Sequence, residues 1–305
     1  MKTMLVVGAG PGIGMSLARR FGREDYQIGL ISRSQEKLDS YVKELSGLKI
    51  KSVGVPADVF DRDGLKAAIA KVVTQLGPID VLEYSPLLDM ASLVDVLSME
   101  VEQAQVQLNM QILGAVTSVR AVLDGMIKKG DGALLFTLGA SAYSSCPSHS
   151  NGSLGVVAVK QYAVMLNTAL KPKGVYAGCL AIGKPHDSDE IADIYWEKVQ
   201  TRGPCETLYG DPRVQACYEI LLAQGVGRVF PPGLVGKLPS PRDENERNIF
   251  LIALQHIAKC AVILGEGQAK VDEMAELAES IGGDRNAAHF GGDIDKAFPQ
   301  ISTLG

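Results

Sequence analysis

The chain has 305 residues, 46% of them hydrophobic and 21% charged, with a formal net charge of −5. That length holds one large α/β domain and an appendage, and that composition excludes a disordered chain. The acidic balance argues against a nucleic-acid binder, which needs a basic face to neutralise phosphates.

Residues 4–14 read MLVVGAGPGIG, an apolar run and then glycines at Gly8, Gly10, Gly12 and Gly14, followed by the helical pattern MSLARRFGRE. Strand, glycine turn and helix start in that order let a backbone approach a pyrophosphate closely and aim helix N–H groups at its charge. Gly8, Gly10, Gly12, Ile13 and Gly14 are therefore candidate cofactor contacts. A second strand, Gln27–Ser32, ends in ISRSQEKL. The residues after it are expected to meet the adenosine ribose, where an acid takes a 2′-hydroxyl and a base a 2′-phosphate. Arg33 holds that place beside Ser32 and Ser34, with no acid before Glu36, so the expected cofactor is NADP(H). Leu38, Val42 and Leu45 mark a helix and Lys51–Val55 a third strand. Asp58 and Val59, just after it, are candidates for the adenine amino group and ring.

Leu65, Ile69 and Val72 mark the next helix, and the fourth strand, Val81–Tyr84, leads into Ser85 and Pro86. A long helix is expected over Glu100–Lys128, a fifth strand over Ala133–Leu138, a helix over Gly152–Leu170 and a sixth strand over Val175–Ile182. Asp187 or Ser188 should cap the amphipathic DSDEIADIYWEKVQ, and CETLY is a candidate last strand. This alternation predicts an α/β fold with a Rossmann-type doubly wound parallel sheet over residues 1–210. From residue 211 the strands stop. ACYEILLAQ reads as helix, VFPPGLVGKLPSPRDENE as a connector, and two further helices run from Asn248 to about Leu264 and over Ala269–Ile281. Residues 211–305 thus form a helical C-terminal extension. It either closes a substrate pocket or buries Ile249, Phe250, Ile252, Leu254 and Ile257 against another subunit.

Cys146, Cys179, Cys205, Cys217 and Cys260 are odd in number and show no C-x-x-C spacing, which fits free thiols in a reducing compartment. No metal spacing appears among the four histidines. The N-terminus passes straight into a strand, and the longest apolar run is interrupted by Gln255, His256 and Lys259. A cytoplasmic protein without a signal peptide, membrane span or metal is expected.

GAGPGIG, Arg33, Ala57–Val59, GPIDVL, GALLF and the closing GVYAGCLAIG together resemble the short-chain dehydrogenase/reductase family over about residues 1–210. The resemblance implies hydride transfer with a small-molecule substrate. It implies a cofactor site extended by Ser85, Pro86, Lys160 and Ile182, and a homodimer or homotetramer joined through the two long core helices. It also brings out departures. Asn-Asn-Ala-Gly after the fourth strand is Tyr84-Ser85-Pro86-Leu87 here. Gln111 falls at the place of a helical asparagine, with Asn109 close by. Gly139 falls where a serine polarises the carbonyl, with Ser141 two residues on. Tyr-x-x-x-Lys is reduced to Val156 and Lys160, and valine does no acid–base work. Substitute catalytic groups are sought first in Ser141 and Tyr143, next in Tyr84, and last in His149, with Lys160 retained. The chain also resembles a subgroup of the family with Tyr-Ser-Pro after the fourth strand and Gly-x-Ser-Ala after the fifth, through Tyr84–Pro86, Gly139–Ala142 and Ile191–Trp196. That likeness implies that the missing tyrosine is a shared design.

The expected function is an NADP(H) oxidoreductase acting on a carbonyl, enone or imine with a non-standard proton donor. Two alternatives stand beside it. A cyclase, isomerase or dehydratase on the same fold yields product of unchanged oxidation state, and an NADP(H)-sensing scaffold binds without turnover.

Overall fold

The computed structural model describes residues 1–86, 92–143, 147–182, 186–209, 240–241, 243–263 and 268–293. The chain divides into two units, residues 1–182 with 186–208, and residues 209–305 with 183–185. Leu87, Cys146, Gly183, the predicted helix ACYEILLAQ, most of the connector after it and the end of the tail lie outside the described residues.

In the first unit the strands are β1 (Lys2–Val7), β2 (Tyr26–Ser32), β3 (Ser52–Pro56), β4 (Val81–Tyr84), β5 (Gly132–Gly139), β6 (Val175–Ile182) and β7 (Glu206–Tyr209). They form one seven-stranded sheet in the order β3-β2-β1-β4-β5-β6-β7. The first six pair in parallel, with Val7 opposite Ile31 and Tyr84, and Gly139 opposite Ile182. The chain winds outward from β1 to β3, then crosses back to β4, so the strand order reverses between β1 and β4. In doubly wound sheets the crevice at that reversal takes the ligand.

The helices of this unit are α1 (Ile13–Gly22), α2 (Gln35–Gly47), α3 (Arg62–Leu76), α4 (Val101–Leu108), α5 (Gly114–Lys129), α6 (Ser150–Leu170) and α7 (Ser188–Thr201). One sheet face is apolar: Leu5, Leu82, Phe136 and Cys179 meet Val72 of α3, Val119 of α5 and Val159 of α6. On the opposite side α1 packs on α7, where Phe21, Tyr26 and Trp196 meet edge to face, with centroids 5.3–6.1 Å apart. Helix starts follow the expected chemistry. Ser34 accepts from the Lys37 N–H, Asp61 from Gly64, and Asp187 from Asp189.

The long helix expected over Glu100–Lys128 is two helices joined by a π-helical turn, Asn109–Leu113. Such a turn loosens the normal hydrogen-bond ladder. Here Arg62 of α3 donates to the Asn109 carbonyl at 2.6 Å and the Tyr84 hydroxyl donates to the Met110 carbonyl. The run Val101–Lys129 is, by length and composition, apolar enough to cross a membrane, against the expectation that no segment is. More than half of its most apolar stretch is buried, as in the core helix of a globular domain.

In the second unit α8 (Glu244–Ile263) pairs with α9 (Gln268–Ser280). Leu251, Leu254 and Ala258 meet Met274, Ala275 and Ala278, and Phe290 joins the same cluster. Arg247 closes the end of α9 by donating to the Ile281 carbonyl at 2.9 Å and the Gly282 carbonyl at 2.5 Å.

Candidate active site

The glycine turn is shaped by close approach. Gly8 has φ +99°, and a Cβ there would lie 2.5 Å from Pro86 N and 2.6 Å from the Ser85 carbonyl carbon. Only glycine allows β1 to end this tightly against the exit of β4. The Gly8 and Ala9 N–H groups both bond the Ile31 carbonyl at 2.9 Å, tying the turn to the end of β2. Gly14 lets α1 settle on β1, since its Cβ would meet Ala9 Cα at 3.2 Å and Val6 Cγ1 at 3.4 Å. Gly12, the residue before α1, would bring a Cβ to 3.4 Å from Ser188 Oγ, whereas Gly10 faces open space apart from its own turn. No side chain caps α1 and no acid lies in its first turn, so its N-terminal dipole is open to an anion.

At the end of β2, Arg33 is exposed and makes no ion pair with a described residue, and the Ser32 hydroxyl is buried without a partner. Asp58 is exposed, with Oδ1 accepting from Phe60 N at 3.0 Å. Val59 is buried in the core, and a Cβ on Gly114 would lie 3.5 Å from it.

The other end of the edge is built differently. Gly139 closes β5 with ordinary angles, φ −74° and ψ 151°. A Cβ there would lie 3.6 Å from Ser141 Oγ. The short 3-10 turn Ala140–Ala142 therefore returns the Ser141 hydroxyl towards the space that a side chain on residue 139 would occupy. Ser141 is half-buried and makes no hydrogen bond with a described residue. Lys160 places Nζ 4.2 Å from the centre of the Tyr143 ring, a cation–π contact. The Tyr143 hydroxyl donates to Glu206 Oε1 at 3.0 Å. Desolvation first, then Cys179 and the Glu206 bond, drive this phenol well above the ordinary tyrosine range. Tyr143 is thus a platform for Lys160 and a weak acid near neutrality, which corrects its expected role as a proton donor.

The expectation for Tyr84 is also corrected. Its side chain is 3% exposed, its hydroxyl is engaged by Met110, and a Cβ on Gly114 would collide with that hydroxyl. Burial pushes the phenol up, so Tyr84 holds the π turn and offers no proton to the crevice. Val156 is buried in the core, and Gln111 lies against Gly155, where a Cβ would meet Gln111 Cγ at 3.0 Å. Gln111 Nε2 is buried with no hydrogen-bond partner. Asn109 is taken by Arg62, which donates to its Oδ1 at 3.3 Å. His149 is buried at the start of α6.

Two features escaped the sequence reading. Asn151, fully buried, accepts from Val94 N at 3.1 Å and donates to the Ser92 carbonyl at 2.8 Å, pinning the segment after β4 to the start of α6. Glu83 of β4 is fully buried. Thr137 donates to its Oε1 at 2.6 Å and Ser85 to its Oε2 at 2.9 Å, while Tyr195 of α7 lies 2.9 Å from the Thr137 hydroxyl. Desolvation outweighs those two hydrogen bonds and raises the Glu83 carboxyl to about 7. The signal was a lone acid in VLEY, a strand otherwise apolar enough to be buried on both faces.

Fold and site together define a doubly wound, nucleotide-binding α/β protein. The profile of the family described as short chain dehydrogenase matches residues 2–186, and the chain belongs to that family. It is similar to the human dehydrogenase/reductase SDR family member 4, 27% identical over 184 residues. That match covers 60% of this chain and 65% of the human protein, under two thirds of its length. It is also similar to a 3-oxoacyl-acyl-carrier-protein reductase of Staphylococcus aureus (strain N315), 25% identical over 209 residues, covering 67% of this chain and 83% of the relative. Among solved structures, the actinorhodin polyketide ketoreductase with NADPH has a TM-score of 0.64 at 19% identity, covering 68% of this chain and 94% of that one. A 3-oxoacyl-acyl-carrier-protein reductase of Brucella melitensis with bound NAD has a TM-score of 0.62 at 20% identity, covering 68% and 88%. These structures share the fold, and one holds NADPH and the other NAD. The open Gly10, the uncapped α1 and the orphaned Ser32 hydroxyl fit a dinucleotide along this edge.

Proposed function

We propose that this chain is an NADP(H)-dependent oxidoreductase that moves hydride to or from a small organic carbonyl, enone or imine without the family tyrosine. One observation carries the reading. A tight glycine turn, the Ser141 hydroxyl without a hydrogen-bond partner among the described residues, and the Lys160 ammonium held over Tyr143 follow strands β1 and β5 of one sheet. A nicotinamide bound there supplies or accepts the hydride. The α1 N-terminus faces the pyrophosphate, and Arg33 with Ser32 takes a 2′-phosphate. Lys160, held over Tyr143, reaches the ribose hydroxyls, and Ser141 donates to the substrate oxygen or nitrogen. Imines and activated alkenes need less acid assistance than ketones, which suits an edge without a tyrosine. The Tyr-Ser-Pro and Gly-x-Ser-Ala pair supports the absent tyrosine as a shared design. We further read the chain as a cytoplasmic homodimer or homotetramer; exposed Val101, Leu113, Leu154, Val157 and Met165 on the core helices support that association.

Calorimetric titration with NADPH and NADH, followed by NADPH oxidation with ethyl acetoacetate, cyclohexenone and pyrroline, tests this. Tighter binding of NADPH and turnover of a probe support the reading. Tight binding with no oxidation of NADPH by any probe overturns it in favour of a sensing role.

A further inference from the structure

Glu83 has no place in that scheme, yet it is the one fully buried carboxylate among the described residues and stands two residues from the crevice. Ser85 links the two. Its N–H bonds the Val7 carbonyl at 2.9 Å, its carbonyl carbon lies where a Gly8 side chain would be, and its hydroxyl turns back to Glu83. Ser85 is half-buried and sits at the reversal between β1 and β4, while Glu83 is sealed behind it.

We infer that Glu83 is the proton store for this site and that Ser85 passes its proton to the bound ligand, taking over the role left empty by the missing tyrosine. The inference rests on the oxidoreductase reading above and names its proton source. The hydrogen bonds set the direction. Tyr195 can donate to Thr137, Thr137 donates to Oε1 and Ser85 to Oε2, so ionised Glu83 is the common acceptor. Once Oε2 carries a proton, the Glu83–Ser85 bond reverses and the Ser85 proton is released to point into the crevice. When hydride has added to the electrophilic carbon, Ser85 gives that proton to the adjoining oxygen or nitrogen, or to the enone α-carbon, that now holds the displaced electron pair, and takes the Glu83 proton in the same step. The product gains one proton, Glu83 becomes ionised, Ser85 is unchanged, and solvent reloads Glu83.

The surroundings suit a store that fills and empties near neutrality. β1 presents Val6 and β5 presents Leu135 beside Glu83, and no charged group contributes to its shift. The titratable neighbour is Tyr195 from α7, whose own phenol is raised by burial first and by Glu83 second. With a carboxyl near 7, the proton is available below that pH and lost above it.

The test compares wild type with Glu83→Gln and Ser85→Ala. Difference infrared spectroscopy between pH 5 and 9 reads the carboxyl directly, without substrate. A protonated-carboxyl band that fades near pH 7 in wild type and is absent in Glu83→Gln is expected. A carboxyl that stays ionised, or stays protonated, across the range overturns the inference. NADPH oxidation with the responsive probe should fall roughly 100-fold in both variants below pH 7, and the wild-type decline above pH 7 should flatten. An unchanged pH profile in both variants, with wild type active, overturns the inference and leaves the oxidoreductase reading standing. Inactive wild type overturns both. Ser85→Ala, at the half-exposed end of the pair, keeps the test decisive if Glu83→Gln does not fold.

Discussion

At the β1–β4 exit Gly8 sits at φ +99° with the backbone of Ser85 and Pro86 where its side chain would be, whereas at the β5 exit Gly139 has ordinary angles and its nearest obstacle is a hydroxyl 3.6 Å away. The first glycine is demanded by space. The second is permitted because Ser141 delivers a hydroxyl to the same place. One end of the edge therefore tolerates no change of residue, while at the other a role can move between positions. The second pattern is how a site keeps hydrogen-bonding capacity while losing the residues a motif search expects.

Gly8→Ala should have the largest effect. A Cβ 2.5 Å from Pro86 N on a left-handed backbone should cost about 3 kcal/mol or more in urea unfolding and abolish NADPH binding in calorimetry. Wild-type stability and affinity in this variant would erase the contrast between the two ends.

Next comes Glu83, which belongs to neither rule. Its folded-state carboxyl, near 7, lies above the ordinary 4.5, so the stability it contributes is fully present below about 4.5 and lost as pH rises through 7. Wild type should lose on the order of 3 kcal/mol relative to Glu83→Gln between pH 5 and 8.5, read by urea unfolding of both. Parallel curves would place the carboxyl out of the titrating range.

Ser141→Ala should then lower probe turnover about 100-fold, the usual cost of one donor to a developing oxyanion. The double variant Gly139→Ser with Ser141→Ala should recover much of that loss, because the two side chains serve one volume. Failure of the second change to rescue would mean that Ser141 does not stand in for residue 139.

Tyr143→Phe should matter least. The ring that carries Lys160 remains and only the half-exposed bond to Glu206 is lost, so stability should change by less than about 1 kcal/mol and turnover by less than about threefold. A loss as large as that of Ser141→Ala would return Tyr143 to the acid role.

Much of the sheet was legible in the chain. Val81–Tyr84 and Val175–Ile182 are observed where the apolar runs placed them, and of the two expected caps of α7, Asp187 and Ser188, it is Asp187 that caps it. The glycine turn was legible because turn geometry is local. The π turn was not, since its carbonyls are satisfied by Arg62 and Tyr84 from 47 and 26 residues away. Tyr84 and Tyr143 were misread for a related reason: a tyrosine at a strand exit looks available until its neighbours are known. Neither Met110 beneath one hydroxyl nor Glu206 beside the other can be inferred from spacing.

By itself the sequence determined the alternation of strands and helices, the parallel sheet and the nucleotide turn, because hydrophobic periodicity and glycine's backbone freedom act over a few residues. Tertiary structure alone decided which polar groups are free. Ser141 gained its place from the end of β5, Lys160 its platform from Tyr143, and Glu83 its raised pKa from complete burial between Ser85 and Thr137. Each is a matter of desolvation and hydrogen-bond partners brought from distant segments, and no local pattern in the chain encodes them.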